Sequence, residues 1–240
     1  MSPFRIFIGW DSRFPEPGLV LAHTFRKHAS IPLDIRFLDY RHLRDCYGFH
    51  RSPDPTASTE FSFSRFFVPA LCGYAGTALF VDNDCVCYAD VAELADLPMS
   101  AHALRVVKHD YIPSVATKFG KSGTPQAVYP RKNWSSVMLM NCEKLKVWTR
   151  DVVATAPGAR LHRFEDLSDD QIGDIPSVWN VLTNKPTGNY VTKLLHYTEG
   201  GPWFEGCQDC PHAEDWRQAR RDWLSHEGAN PDTPVKLLTL

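Results

Sequence analysis

Apolar and polar positions alternate along the chain in short blocks whose periods separate strands from helices. Residues 4–9, Phe4-Arg5-Ile6-Phe7-Ile8-Gly9, alternate and stop at a glycine, which predicts a strand. Trp10 to Phe14 form a loop, and residues 15–28 predict a helix with Leu19, Ala22, Phe25 and Arg26 along it. Pro15 and Pro17 suit its first turn, where no backbone donor is lost. Residues 33–38 alternate again as a second strand. Strand, loop, helix, strand opens a doubly wound α/β unit, whose ligands bind at the carboxyl ends of strands. The loop from Gly9 to Phe14 is therefore a candidate site wall, although no GxGxxG is present.

Residues 45–60 are polar and predict an exposed loop. Residues 62–74 predict a helix with Phe63, Phe66, Phe67, Ala70 and Leu71 on one face, bent or broken at Pro69, with Arg65 off that stripe. Residues 78–87, Ala78-Leu79-Phe80-Val81-Asp82-Asn83-Asp84-Cys85-Val86-Cys87, predict a buried strand carrying two acids two positions apart. On one strand Asp82 and Asp84 would share a face, and a cation between them would relieve their repulsion. The alternative is two solvated acids. Further along, the pattern predicts a short helix over 90–97, a strand over 103–107, and a long loop over 111–129 of the kind that forms lids. It then predicts a strand over 133–141, a helix over 143–154 closed by Pro157 and Gly158, a strand over 193–197 and a last helix over 213–225. Residues 160–182 carry no clear period.

Composition narrows the function classes. The 240 residues hold 43% apolar and 22% charged positions with a formal charge of −2, which gives no reason to expect a nucleic-acid partner. No apolar run approaches a membrane span, and the first residues lack a signal-peptide pattern, so a cytoplasmic location is expected. The seven cysteines read as reduced, mostly buried thiols. Cys207 and Cys210 form one CxxC near His212, but no second CxxC exists to complete a zinc site. In the last helix Trp216, Trp223 and Leu224 lie among Arg217, Arg220 and Arg221. Peripheral membrane docking is one reading of that helix, and inward tryptophans with outward arginines is the other.

Three stretches occur in a telling order: Ser64-Arg65-Phe66-Phe67-Val68-Pro69-Ala70-Leu71, then the block around Asp82-Asn83-Asp84, then His196-Tyr197-Thr198-Glu199-Gly200-Gly201-Pro202-Trp203. Together they resemble the family 8-type glycosyltransferases and their bacterial relatives. The resemblance also takes in residues 6–14 and the strand over 133–141. It implies a single-domain α/β GT-A fold, Rossmann-like, with a mixed central sheet flanked by helices. That domain would cover residues 1–240, with 204–240 as a C-terminal helical extension.

The resemblance implies transfer of a sugar, with retention of configuration, from a nucleotide-diphosphate donor, most often a UDP-hexose. The acceptor would be a hydroxyl of a glycan, a lipid-linked sugar or a small molecule. Asp82, Asp84 and His196 would hold Mn²⁺ or Mg²⁺ under the diphosphate, and an imidazole among the ligands favours Mn²⁺. Gly9, Trp10, Asp11 and Phe14 would line the nucleotide, with Phe14 stacked on the base. Arg65 and Asn83 would contact acids or donor, and Gly200 and Gly201 would let amides approach phosphate. Asp170 and Gln171 resemble a pair near the reacting carbon. The chain departs from the family in lacking a lysine before Pro202-Trp203, which leaves Lys118, Lys121, Arg131, Lys132 and Lys193 as candidate phosphate cations. Ser136 also stands at the usual glycine position, with Trp134 before it. The competing expectations are a nucleotidyltransferase acting on a sugar phosphate and a non-catalytic nucleotide-sugar-binding protein.

Overall fold

The computed structural model describes residues 2–52, 54, 57–110, 130–184 and 191–233, so the expected lid over 111–129, with Lys118 and Lys121, lies outside the described residues. The predicted first two strands form as β1 (Phe4–Gly9) and β2 (Leu33–Leu38), and both run parallel to their neighbours on β3 (Thr77–Val81) or each other. The sheet continues from β3 through antiparallel β6 (Val137–Asn141) and β5 (Leu104–Val106), and ends at β7 (Ile172–Asp174), parallel to β5. Its strand order is β2-β1-β3-β6-β5-β7.

Both faces of this sheet are covered, which is why its central strands read as near-continuous apolar runs. Phe7, Ala78, Phe80, Met138 and Met140 enter one core cluster. Ile6, Ile8, Leu79, Val81, Val137 and Leu139 enter the other. The alternation follows from the two-residue period of a strand. Helix α1 (Glu16–His28) packs on β1 and β2 and reaches β4 (Cys85–Cys87) of a second sheet. That small sheet has the order β4-β9-β8, with β9 (Leu194–His196) antiparallel to β4 and parallel to β8 (Val181–Leu182). Helix α7 (Ala213–His226) closes over α1. Its Trp216 is fully buried, and Arg220 is buried too, paired with Glu16 at 2.9 Å. The apolar face of α7 is thus spent on the core, and Arg220, expected in water, is inside. Among the described residues no helix is long and apolar enough to cross a membrane.

Several elements differ from expectation. Residues 78–87 are not one strand: the chain bends at Asp82-Asn83-Asp84 and passes from the large sheet to the small one. Pro69 does break its helix, leaving a 3₁₀ turn at Ser64–Phe67 and one helical turn, α3 (Val68–Leu71). The short helix after β4 is a single turn, α4 (Ala92–Ala95). Helix α2 (Tyr40–Tyr47) runs into the stretch expected as loop, started by Asp39, whose side chain accepts from the Arg41 amide, and stopped by left-handed Gly48. Phe49, just beyond it, is buried.

The strand over 133–141 begins only at Val137, after a 3₁₀ turn at Trp134–Ser136. The helix over 143–154 forms as a 3₁₀ turn at Cys142–Lys144 and a separate α5 (Arg150–Thr155) capped by Thr149. Pro157 does not close a helix. It opens α6 (Gly158–His162), as its fixed φ suits a helix start.

Candidate active site at the junction of the two sheets

Asp82 continues the β3–β6 ladder by one bond, its amide donating to the Ser136 carbonyl at 2.8 Å. Its carboxylate Oδ1 meets Arg65 NH1 at 2.7 Å. Arg65 is 5% exposed, donates to the carbonyls of Ser62 and Ser135, and lies against the rings of Phe61 and Phe80. A guanidinium in such surroundings needs a counter-charge, and Asp82 supplies it. Arg65 therefore reaches the acids at the end of the next strand.

Asp84 lies at the other end of the bend and faces a different partner. His196 pairs with Cys85 in the β4–β9 register, and this places Nε2 of the imidazole 3.3 Å from Asp84 Oδ1. The other ring nitrogen decides the tautomer. Ser136 Oγ gives its proton to the Asn133 carbonyl at 2.6 Å, so it accepts from Asn180 Nδ2 at 2.8 Å. Asn180 then presents its oxygen to His196 Nδ1 at 2.9 Å, which requires a proton on Nδ1. Nε2 is thus the ring nitrogen turned towards Asp84. A carboxylate or amide that fixes a histidine in this way is the usual outer partner of a metal ligand.

Asp84, Cys85 and His196 bring one ligand atom each to within 4.8 Å of one another. Burial, with Asp84 and Asp82 alongside, pushes the Cys85 thiol well up, so it is a neutral thiol beside the two harder donors. Two further polar groups point to a ligand: Asn83 Nδ2 and Thr198 Oγ1 are buried and lack a hydrogen-bond partner among the described residues.

The remaining expected residues divide. Asp11 is fully buried and held bidentately by Arg13, Nε–Oδ1 2.7 Å and NH2–Oδ2 2.6 Å, while the Glu60 amide donates to Oδ2. It pins the loop after β1 to residues 58–60 and does not face a base. Phe14 is 3% exposed, edge-on to Phe204 with centroids 5.0 Å apart, so its ring is core and not a stacking platform. Trp10 rests against Phe37. A Cβ on Gly9 would meet the Phe61 ring at 2.3 Å, and one on Gly201 the Trp203 ring at 2.2 Å. Both glycines make room for protein side chains. Gly200, at φ +118°, uses its amide in a turn to the Tyr197 carbonyl, so that amide is not offered to phosphate.

Asp170 and Gln171 are displaced altogether. Gln171 accepts from the Ser168 amide and hydroxyl, closing its own 3₁₀ turn, and Asp170 is exposed. They precede β7, which runs in the same direction as β3 through the β5 and β6 pairings. They therefore sit at the amino end of the sheet, whereas Asp82 sits at its carboxyl end.

Sequence reasoning missed the partners that the turn before β6 brings in. Ser135 Oγ lies 2.9 Å from His162 Nδ1, and the His162 ring packs beside Phe63 and Phe66. The signal was the polar run Asn133-Trp134-Ser135-Ser136 breaking an apolar strand, which was read as a departure. Among the cation candidates, Arg131 is committed to the Arg163 and Phe164 carbonyls and to Asp169, and Lys193 to Glu93. Lys132 is buried at 6% exposure between Arg131 and Asn133, both left-handed, at φ 61° and 63°.

No family model matches the chain. Solved structures described as glycosyltransferases are similar to this chain. The bifunctional glycosyltransferase WbbM aligns with a TM-score of 0.61 at 15% identity over 91% of this chain, which spans 49% of WbbM. Glycosyltransferase GlyE of Streptococcus pneumoniae gives 0.59 at 15% identity, covering 97% of this chain and 66% of GlyE. The galactosyltransferase LgtC, solved with donor and acceptor sugar analogues, gives 0.57 at 13% identity, covering 90% of this chain and 95% of LgtC. These likenesses show the GT-A fold. In sequence, Protein CDI of Arabidopsis thaliana is 44% identical over 224 residues, 90% of this chain and 85% of that protein. Aligned along nearly its whole length at that identity, and built on the GT-A fold, the chain belongs to the family of Protein CDI.

Proposed function

We propose that the chain is a metal-dependent glycosyltransferase that moves a hexose from a nucleotide diphosphate, UDP above all, to an acceptor hydroxyl. The observation that carries the reading is the pairing of Asp84 with a His196 whose Nδ1 is engaged by Asn180, leaving Nε2 to a cation. The donor set suits Mn²⁺, with Mg²⁺ the poorer match to an imidazole. A cation held there neutralises the charge that builds on a diphosphate as the sugar–phosphate bond breaks.

In this reading Asp84 and His196 are the primary ligands, and Asp82 completes the set from the other end of the bend. Arg65 holds Asp82 in place, and Asn83 and Thr198 offer their unpartnered polar atoms to the donor. Arg131 and Lys193 are committed elsewhere, which leaves Lys118, Lys121 and Lys132 as candidates for the part of the missing family lysine. Retention of configuration remains part of the proposal through the family resemblance.

A donor screen with mass detection tests the function. The expected outcome is release of free nucleotide from a UDP-hexose with Mn²⁺ and none with EDTA. Consumption of NTP with pyrophosphate release would replace the reading with a nucleotidyltransferase. Binding without turnover of any donor would leave a nucleotide-sugar-binding protein.

A further inference from the structure

A cavity of about 470 Å³ has walls that come from three separate segments. Arg13 enters from the loop after β1, Tyr40, Arg41 and Arg44 from α2, and Arg51 from the stretch beyond it. Four arginines thus line it together with Asp54 and Glu60, and Arg13 and Arg44 are also paired with Asp11 and Asp45. Phe49 and Phe63 supply its apolar surface. The size matches a sugar-sized ligand.

Two of the arginines, Arg13 and Arg51, are set before any ligand arrives. Arg13 is clamped by Asp11. Arg51 donates to the Val153 and Ala156 carbonyls and lies 3.7 Å over the Phe63 ring, and its buried Nε has no acceptor among the described residues. Burial lowers the Arg51 pKa, against the opposing pull of Asp54. Arg44 reaches only the exposed Asp45, and the Arg41 guanidinium has no acceptor among the described residues. Guanidinia with unspent donors are what proteins use to recognise phosphate and carboxylate ligands. Ser64 also lines the cavity, and the next residue, Arg65, pairs with Asp82. The 3₁₀ turn at Ser64–Phe67 thus links the cavity wall to the sheet junction.

We propose that this cavity binds an anionic sugar, through a phosphate or carboxylate group, as the acceptor of the transfer. The assignment as acceptor rests on the proposed function, and the anion site itself does not.

Calorimetric titration of the full chain with a hexose 6-phosphate, a hexuronate and an uncharged hexose tests it, alongside UDP with Mn²⁺. The parent should bind one or both anionic sugars and not the hexose, and the arm that binds identifies the group. Arg41→Ala and Arg44→Ala, both on the exposed side of α2, should weaken that binding about tenfold or more, with unchanged melting temperature and unchanged UDP affinity. Failure of both anionic sugars to bind the parent at millimolar concentration would overturn the proposal, as would variants that bind like the parent. Variants that lose UDP affinity equally would overturn it as well, by assigning the cavity to the donor. A parent that binds the anionic sugar but not UDP with Mn²⁺ would instead remove the donor reading and leave the anion site standing.

Discussion

Asn180 touches no expected ligand atom of a donor, yet it fixes which nitrogen of His196 is available. Replacing Asn180 with Ala should weaken Mn²⁺ binding ~10–100-fold, the range for removing an outer partner of a ligating histidine. Titration with Mn²⁺ checks it, and an affinity equal to the parent's would show that the imidazole needs no orienting group. Phe14 makes an opposite case. As a nucleobase platform its loss would lower donor affinity, but its ring lies in the cluster with Val20, Tyr197, Trp203 and Phe204. Phe14→Ala should cost ~3–5 kcal/mol of stability and leave UDP affinity nearly unchanged. A loss of affinity with an unchanged melting temperature would restore the stacking role.

These two residues mark what sequence can convey. Asp82 and Asp84 stood out because acids after an apolar strand break a pattern, whereas His196 was singled out only through the family resemblance. Asn180, Cys85 and His162 were not, because their placement comes from the Cys85–His196 register and from α6 folding back onto the turn before β6. Asp170-Gln171 was a false match, since a dipeptide carries no record of which end of a strand it occupies.

Elements with one strong period were legible throughout, as β1, β2, α1 and α7 demonstrate. Elements shortened by local chemistry were not. Pro157 has the same appearance at either end of a helix, and the bend at Asp82-Asn83-Asp84 hides inside an otherwise apolar run. The packing of α1 on α7 supplies a test at this level. His23 on α1 lies 5.2 Å from the His226 ring on α7. Burial first, then His226 and Lys27, lower the His23 pKa, against weaker pulls from Asp222 and Glu227. The folded state therefore takes up this proton less readily than the unfolded chain, and stability present above the ordinary value of 6.5 is lost as pH falls below it. Melting temperature should fall between about pH 7 and pH 5, and His23→Gln should flatten that slope. Equal slopes for parent and variant would place the acid sensitivity elsewhere.

The molecule as a whole places its chemistry where two sheets exchange the chain. The large sheet ends at Val81, the small one begins at Cys85, and the residues between them are held by Arg65 on one side and His196 on the other. The turn before β6 ties the two halves together through Ser135 to Arg65 and through Ser136 to Asn180. The donor site proposed here would therefore depend on both sheets being assembled, and motif order along the chain was informative although each motif was weak. It also sets the decisive measurement, the affinity of UDP by calorimetry with Mn²⁺ and with EDTA, for the parent and for His196→Ala. The account predicts Mn²⁺-dependent binding by the parent, abolished by EDTA and by the substitution, with the variant still folded by its melting curve. Binding of equal strength in EDTA, or in the folded His196→Ala variant, would contradict it.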